Sequence, residues 1–290
     1  MILPLLASMF RVSTPLVFAS LGGLMSERAG VVNIALEGMM LVGAFAAASV
    51  ASASHSPWIG AGAGLVAGVA LAAIYALFVI QFRADQIVAG IAVNMLAGGA
   101  TPFLCKLLYG STTATPSLPI EVRFQSAPVW IAFALVAAAW AWMRYLPSGM
   151  WVRFAGEHPE ALDSAGIRVN RVRWAAVLAS GALAGMGGAS LSVFLSSSFS
   201  RNMTAGRGFM ALAALIFGKW RPVQAMAACL LFGFADAIQI RLQGVVLWGT
   251  DPVPVQFIQI LPYAVTVLVL AGWVGGSRAP KALGLPYSKR

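Results

Sequence analysis

Nine apolar runs, most of them about twenty residues long, limit this chain more than any motif does. A helix needs about 20 mostly apolar residues to cross the hydrocarbon core of a bilayer. The runs lie at roughly 8–25, 33–52, 57–80, 86–108, 127–144, 174–197, 207–218, 222–243 and 256–274 of the 290 residues. The seventh is too short to cross alone, and it follows the polar run Ser196–Gly208, so it reads as a half-helix or a broken helix. With 60% of residues hydrophobic and only 10% charged, a soluble domain would leave too much apolar surface in water. The expected fold is all-α: a polytopic membrane protein of about nine segments, forming a single transmembrane domain over 1–290.

Several other classes drop out. The 2 cysteines, Cys105 and Cys229, sit in apolar runs and suit packing, not a disulfide framework. The net charge of +10 is no nucleic-acid footprint, because the basic residues stand singly at the ends of apolar runs. Residues 1–10 lack a basic leading stretch, and Arg11 follows the apolar segment, which predicts an uncleaved insertion signal. No phosphate-binding loop is present: the Gly218–Lys219 pair is followed by Trp220. H-E-x-x-H and G-x-S-x-G are also missing, and His158 has no cysteine nearby. No catalytic residue, metal ligand or cofactor is expected.

Basic residues set the expected orientation. With the basic tail 275–290 in the cytoplasm, Arg28, Arg83, Arg144, Arg153, Arg168, Arg171, Arg173, Lys219, Arg221, Arg278, Lys281, Lys289 and Arg290 fall inside. Arg11, Lys106, Arg123, Arg201, Arg207 and Arg241 fall outside or near that face. An odd number of spans then places the N-terminus outside. Two turn-rich outer loops follow, Tyr109–Pro128 and Gly249–Pro254, and the first is long enough to fold over the outer mouth. Trp130, Trp140, Trp151, Trp174, Trp220, Trp248 and Trp273 mostly mark span ends.

The longest polar segment, Arg144–Arg173, lies on the inner side. Within it His158–Ile167 predicts a short helix: Pro159 suits the first helical position, Glu157 and Glu160 sit near its positive end, and Gly166 suits the stop. Ala161 and Ala165, four apart, share a small shallow face. Such a face fits a groove on a partner; a solvated loop with one helical turn is the plainer reading.

Deep polar residues are few. Asn33 and Glu37 are spaced i,i+4 on one helix face, and a carboxylate there is costly unless paired or facing water. Glu37 either lines a polar cavity or bonds to a neighbouring helix terminus. Gly30 permits a break before the second helix, as in half-helix transporters. Asn94, Asp236 and Gln239 complete the set; helix–helix hydrogen bonding and a pathway for an uncharged polar molecule both account for them. Gly60, Gly64 and Gly68, and again Gly181 and Gly185, are spaced for close helix packing.

Four stretches carry a resemblance. Gly156–Ile167 (GEHPEALDSAGI) resembles the cytoplasmic coupling loop of ATP-binding-cassette importer permeases of the branched-chain amino acid, ribose and nucleoside group, with Leu162 where a second Ala is commoner. Ser26–Phe45, Ser180–Leu191 and Thr204–Ala237 resemble the nucleoside and simple-sugar branch of that group. The resemblance implies a permease subunit in a bacterial inner membrane, surrounded by lipid and binding no nucleic acid. It implies ABC ATPase subunits, a second permease that is a related but distinct chain, and an extracytoplasmic substrate-binding protein. It places ATPase coupling on Glu157, His158, Pro159, Glu160, Ala161, Ala165 and Gly166, and a substrate pathway near Asn33, Glu37, Asn94, Asp236 and Gln239. Nucleosides are the first expected cargo and simple sugars the second. An ion-coupled secondary transporter with Glu37 and Asp236 as relay is the alternative from another class; an embedded enzyme has no converging residues.

Overall fold

The apolar runs become helices whose ends are set by proline, glycine and short polar turns. The computed structural model describes residues 2–242, 260 and 278–288. Ten α-helices occur among them: α1 (Ile2–Arg28), α2 (Leu36–Ser54), α3 (Pro57–Ala76), α4 (Gln86–Tyr109), α5 (Ala127–Tyr145), α6 (Pro147–Glu157), α7 (Pro159–Ser164), α8 (Val169–Ala189), α9 (Arg207–Phe217) and α10 (Pro222–Leu242). Helices α3 and α8 each continue through a wide π turn, at Leu77–Gln81 and Ser190–Leu195. Seven helices, α1 to α5, α8 and α10, are long and apolar enough to cross a membrane. Helix α9, with 11 residues, is the expected short one. The ninth expected run, 256–274, and the loop Gly249–Pro254 lie outside the described residues save for Ile260; among the described residues there are seven long segments and one short one.

Close packing of α2, α3 and α8 makes the centre. A Cβ added at Gly43 would stand 2.6 Å from the Gly185 backbone, and one added at Gly185 would strike the Gly64 carbonyl. Gly68 and Gly181 approach each other in the same way. The two glycine series therefore face each other across α3 and α8, where lipid supplies no hydrophobic drive and small residues let backbones touch. Helix α4 differs: it packs with one stripe (Gln86, Gly90, Val93, Ala97, Thr101, Cys105) and leaves Met95, Phe103 and Leu107 exposed.

The chain sorts into two ends. The end of α1, the start of α4, the end of α9 and the tail 278–288 meet at one: Arg28 Nε donates to the Trp220 carbonyl (2.8 Å), Val32 N–H to Gln86 Oε1 (2.7 Å), and Gly284 N–H to the Gly30 carbonyl (3.1 Å). The other end joins the loop after α4 to the end of α8, where Leu118 N–H donates to the Ser197 carbonyl and Phe124 N–H to the Val193 carbonyl. Trp220 does not mark an interface. It is 5% exposed, and its indole N–H donates to Glu27 Oε2 at 2.5 Å.

The segment expected as a polar loop between the fifth and sixth spans is mostly helical. Pro147 opens α6, which buries Gly149, Val152, Ala155 and Gly156 and turns Met150, Trp151 and Phe154 outward. Its small buried face lets it lie against α1, α5 and α8.

Candidate functional site

Two interruptions in the helical core position the deep polar residues. The first follows α1. The chain turns at Gly30 (φ +90°), runs non-helically through Val31–Asn33, and restarts as α2 at Leu36. The second follows α8: residues 196–206 turn back, and α9 starts after Gly206, which holds φ +83°. Eleven residues of α9 span about 16 Å at 1.5 Å each. Its start therefore stands about one and a half nanometres from the end where Trp220 sits, too short a run to cross a hydrocarbon core of about 30 Å alone.

Glu37, in the first turn of α2, reaches that start. Its Oε1 accepts from Gly206 N–H (2.8 Å) and its Oε2 from Gly208 N–H (2.7 Å). The first amides of a helix have no intrahelical partners and carry its positive end, so a carboxylate there is bonded and compensated. A Cβ added at Gly208 would stand 2.6 Å from the Glu37 backbone, so the approach requires glycine. Of the two roles open to Glu37, this geometry is the bond to a neighbouring helix terminus.

Asn94 staples the same region. Its Oδ1 accepts from Gly38 N–H (2.8 Å), and its amide donates to the Ile34 carbonyl (3.0 Å). Asn33 is fully buried and donates to Ser180 Oγ on α8 (2.8 Å). Asp236 is half-buried on α10, and the Arg207 guanidinium of α9 acts on it electrostatically. Asn33, Glu37 and Asn94 therefore gather around the first break, and Asp236 joins them through α9. Gln239 stands half-buried one turn farther along α10, with no hydrogen bond to the others among the described residues. Three buried polar atoms in these segments have no partner among the described residues: Asn33 Oδ1, Thr204 Oγ1 and Arg207 Nε.

Other fixings had no sequence signal. Gln86 and the Tyr75 hydroxyl both hold the backbone of Val32, yet each reads as an ordinary helix residue. Arg173, counted as one more inner charge, is 2% exposed.

On the surface of the end that holds the tail, α7 projects beside α6. Pro159 is its first residue, and Gly166 ends the segment at φ +80°. Glu160, Ala161, Ala165 and Gly166 are exposed, as is His158 at the joint, and Glu157 pairs with Arg28 at 3.8 Å. Leu162 is 4% exposed and packs with Ala155 and Val169. The residue that departs from the family pattern is thus the anchor that turns Ala161 outward.

Comparison with known proteins bears on all of this. A family profile described as branched-chain amino acid transport system / permease component matches residues 5–270. NupQ, a guanosine ABC transporter permease protein of Bacillus subtilis, is 38% identical over 301 residues, 96% of this chain and 94% of that protein. NupC, a nucleoside ABC transporter permease protein of Lactococcus lactis, is 36% identical over 308 residues, 98% of this chain and 96% of that protein. TsgC13 of Haloferax volcanii, provisionally named a glucose ABC transporter permease protein, is 33% identical over 297 residues, 92% of this chain and 90% of that protein. Such permease subunits are not enzymes; ATP hydrolysis lies in separate subunits. Seven long apolar helices, two helix starts joined by Glu37 and a match over nearly the whole length agree: the chain belongs to the family of ABC transporter permease components and is a multi-pass membrane protein.

Proposed function

We propose that this chain is a single transmembrane domain forming part of a nucleoside pathway in an ATP-driven importer of the bacterial cytoplasmic membrane. The observation that carries the cargo assignment is the near-full-length likeness to guanosine and nucleoside permeases. Simple sugars are the second reading, favoured by the likeness to TsgC13. Partners in this proposal are two ATPase subunits, a second, related permease and an extracytoplasmic binding protein.

The polar set divides by role. Glu37, Asn33 and Asn94 fix the broken helices beside the pathway. Asp236 and Gln239, with the Thr204 hydroxyl, offer donors and acceptors that suit the hydroxyls and ring nitrogens of an uncharged cargo. At the inner end α7 presents Ala161 and Ala165 to a groove on the ATPase, flanked by Glu157, His158, Pro159, Glu160 and Gly166. ATP-driven closure of the ATPases then moves α7, and the pathway switches sides. The coupling is a free energy shared between the two sites and acts in both directions.

Uptake of labelled guanosine by the reconstituted complex tests this. Import should require ATP and the binding protein, survive a proton ionophore, and be competed by nucleosides and not by glucose. Import that continues without ATP and collapses with the ionophore would make the chain a secondary transporter. Orientation has its own test. In a background lacking Cys105 and Cys229, Ser164→Cys should label only from the cytoplasmic side and Ser117→Cys only from outside.

A further inference from the structure

We infer that Arg173 and the tail segment Pro280–Tyr287 form a bracket that carries movement of α7 to the break before α2, with Arg173 as its positioning residue. This rests on the coupling role proposed above for α7.

The observation is one buried cation on α8 holding three other stretches of chain. Arg173 Nε donates to the Ala29 carbonyl at the end of α1 (3.1 Å). One terminal nitrogen donates to the Leu285 carbonyl in the tail (2.8 Å), and the other to the Ala155 carbonyl in α6 (3.4 Å). The tail repeats the connection with its own backbone: Ala282 N–H donates to the Gly156 carbonyl (2.8 Å) and Gly284 N–H to the Gly30 carbonyl (3.1 Å). Tyr287 packs on the cluster of Ala155, Leu162 and Val169, and Leu162 is the buried anchor of α7.

The physical consequence follows from what each bond joins. An exposed coupling helix anchored by one leucine would rock on its hinge at His158 without moving anything else. Here its anchor packs on Ala155 of α6, α6 is bonded to Arg173 and to the tail, and these two are bonded in turn to Ala29 and Gly30, the latter seven residues before Glu37. The guanidinium suits this position because its planar fork directs donors to several carbonyls at once, which lysine cannot match. Buried in a 2%-exposed site, the cation is tied to carbonyl dipoles on elements that must stay together when they move.

The test uses the complete transporter in proteoliposomes and reads nucleoside imported per ATP hydrolysed, alongside the amount of assembled complex. Arg173→Gln should hydrolyse ATP while import per ATP falls roughly tenfold, within the usual 5–150-fold range of coupling. Arg173→Lys should recover part of the loss. Ala282→Pro removes the backbone donor to the Gly156 carbonyl and should give a smaller fall of the same kind, so it decides the matter if Arg173→Gln does not accumulate. A purely structural role predicts less complex with import per ATP unchanged, and that result in the assembled variants overturns the bracket. A wild-type complex that imports without hydrolysing ATP would instead remove the importer reading itself, a distinguishable failure.

Discussion

The break before α2 and the break before α9 do similar work with different fastenings. Residues around the first are held by side chains from the helical core: Gln86 and Tyr75 on Val32, Asn94 on Ile34 and Gly38, Asn33 on Ser180. The second is held by backbone pairing to a surface loop. Arg201 N–H donates to the Thr113 carbonyl (2.7 Å), Thr115 N–H to the Phe199 carbonyl (3.1 Å), and Phe199 N–H to Thr115 Oγ1 (3.0 Å). Core side chains tie the first break to whole helices, so it moves when they move. The second moves with a loop, the part of a protein most open to displacement by a partner. Glu37 is the bond between the two.

Substitutions at four positions can break or sharpen this contrast. The largest effect belongs to Gly208→Val, whose side chain would meet the Glu37 backbone. Overpacking of this kind costs about 1–3 kcal/mol and occasionally more. Monodisperse protein recovered in detergent should fall sharply. Full recovery would mean that the two helix starts do not meet. Next comes Glu37→Gln, which keeps the shape but replaces one acceptor with a donor facing an N–H. Loss of charge-assisted bonds costs about 1.5–3 kcal/mol. The melting temperature should drop by roughly 3–10 °C. An unchanged melting temperature with altered uptake would assign Glu37 to cargo contact instead.

Asn94→Leu should cost less, about 1–2 kcal/mol, because membrane hydrogen bonds are individually modest. Asn94→Asp keeps the acceptor for Gly38 and should fall between leucine and wild type in a thermal melt. Equal melting of all three would remove the staple. Smallest is Thr115→Val, which removes the acceptor for Phe199 N–H at a cost of about 0.5–1.5 kcal/mol. Hydrogen exchange should quicken across residues 197–201 and stay unchanged across 31–38; quickening at both would show that the breaks are not fastened separately.

Much of this was legible in the sequence, for identifiable reasons. Apolar runs of spanning length give the helices, because length and hydropathy alone meet the cost of a membrane. The short α9 shows itself by its length and by the polar run before it. Pro159 and Gly166 delimit α7 because one suits a helix start and the other a left-handed stop. Helix α6 was not legible: its outward Met150, Trp151 and Phe154 follow a helical period, but flanking charges and Pro147 make the whole segment look like a polar loop. Asn33 meets Ser180 147 residues away, Glu37 meets Gly206 169 residues away, and Arg173 meets Ala29 144 residues away. Spacing along one helix reports which residues share a face, not what that face meets.

The most direct test of the account is Ala161→Trp in the reconstituted transporter. Ala161 is exposed on α7, where the proposed groove on the ATPase must accept a small side chain. Overfilling that contact by about 1–3 kcal/mol corresponds to about 5- to 150-fold in the coupling equilibrium. The variant should insert normally, since α7 is not one of the spanning helices. It should then either lose the ATPase subunits or keep them while ATP hydrolysis no longer drives nucleoside import. Normal import per ATP with the ATPase bound would contradict the account, because α7 would then not be the element through which ATP acts.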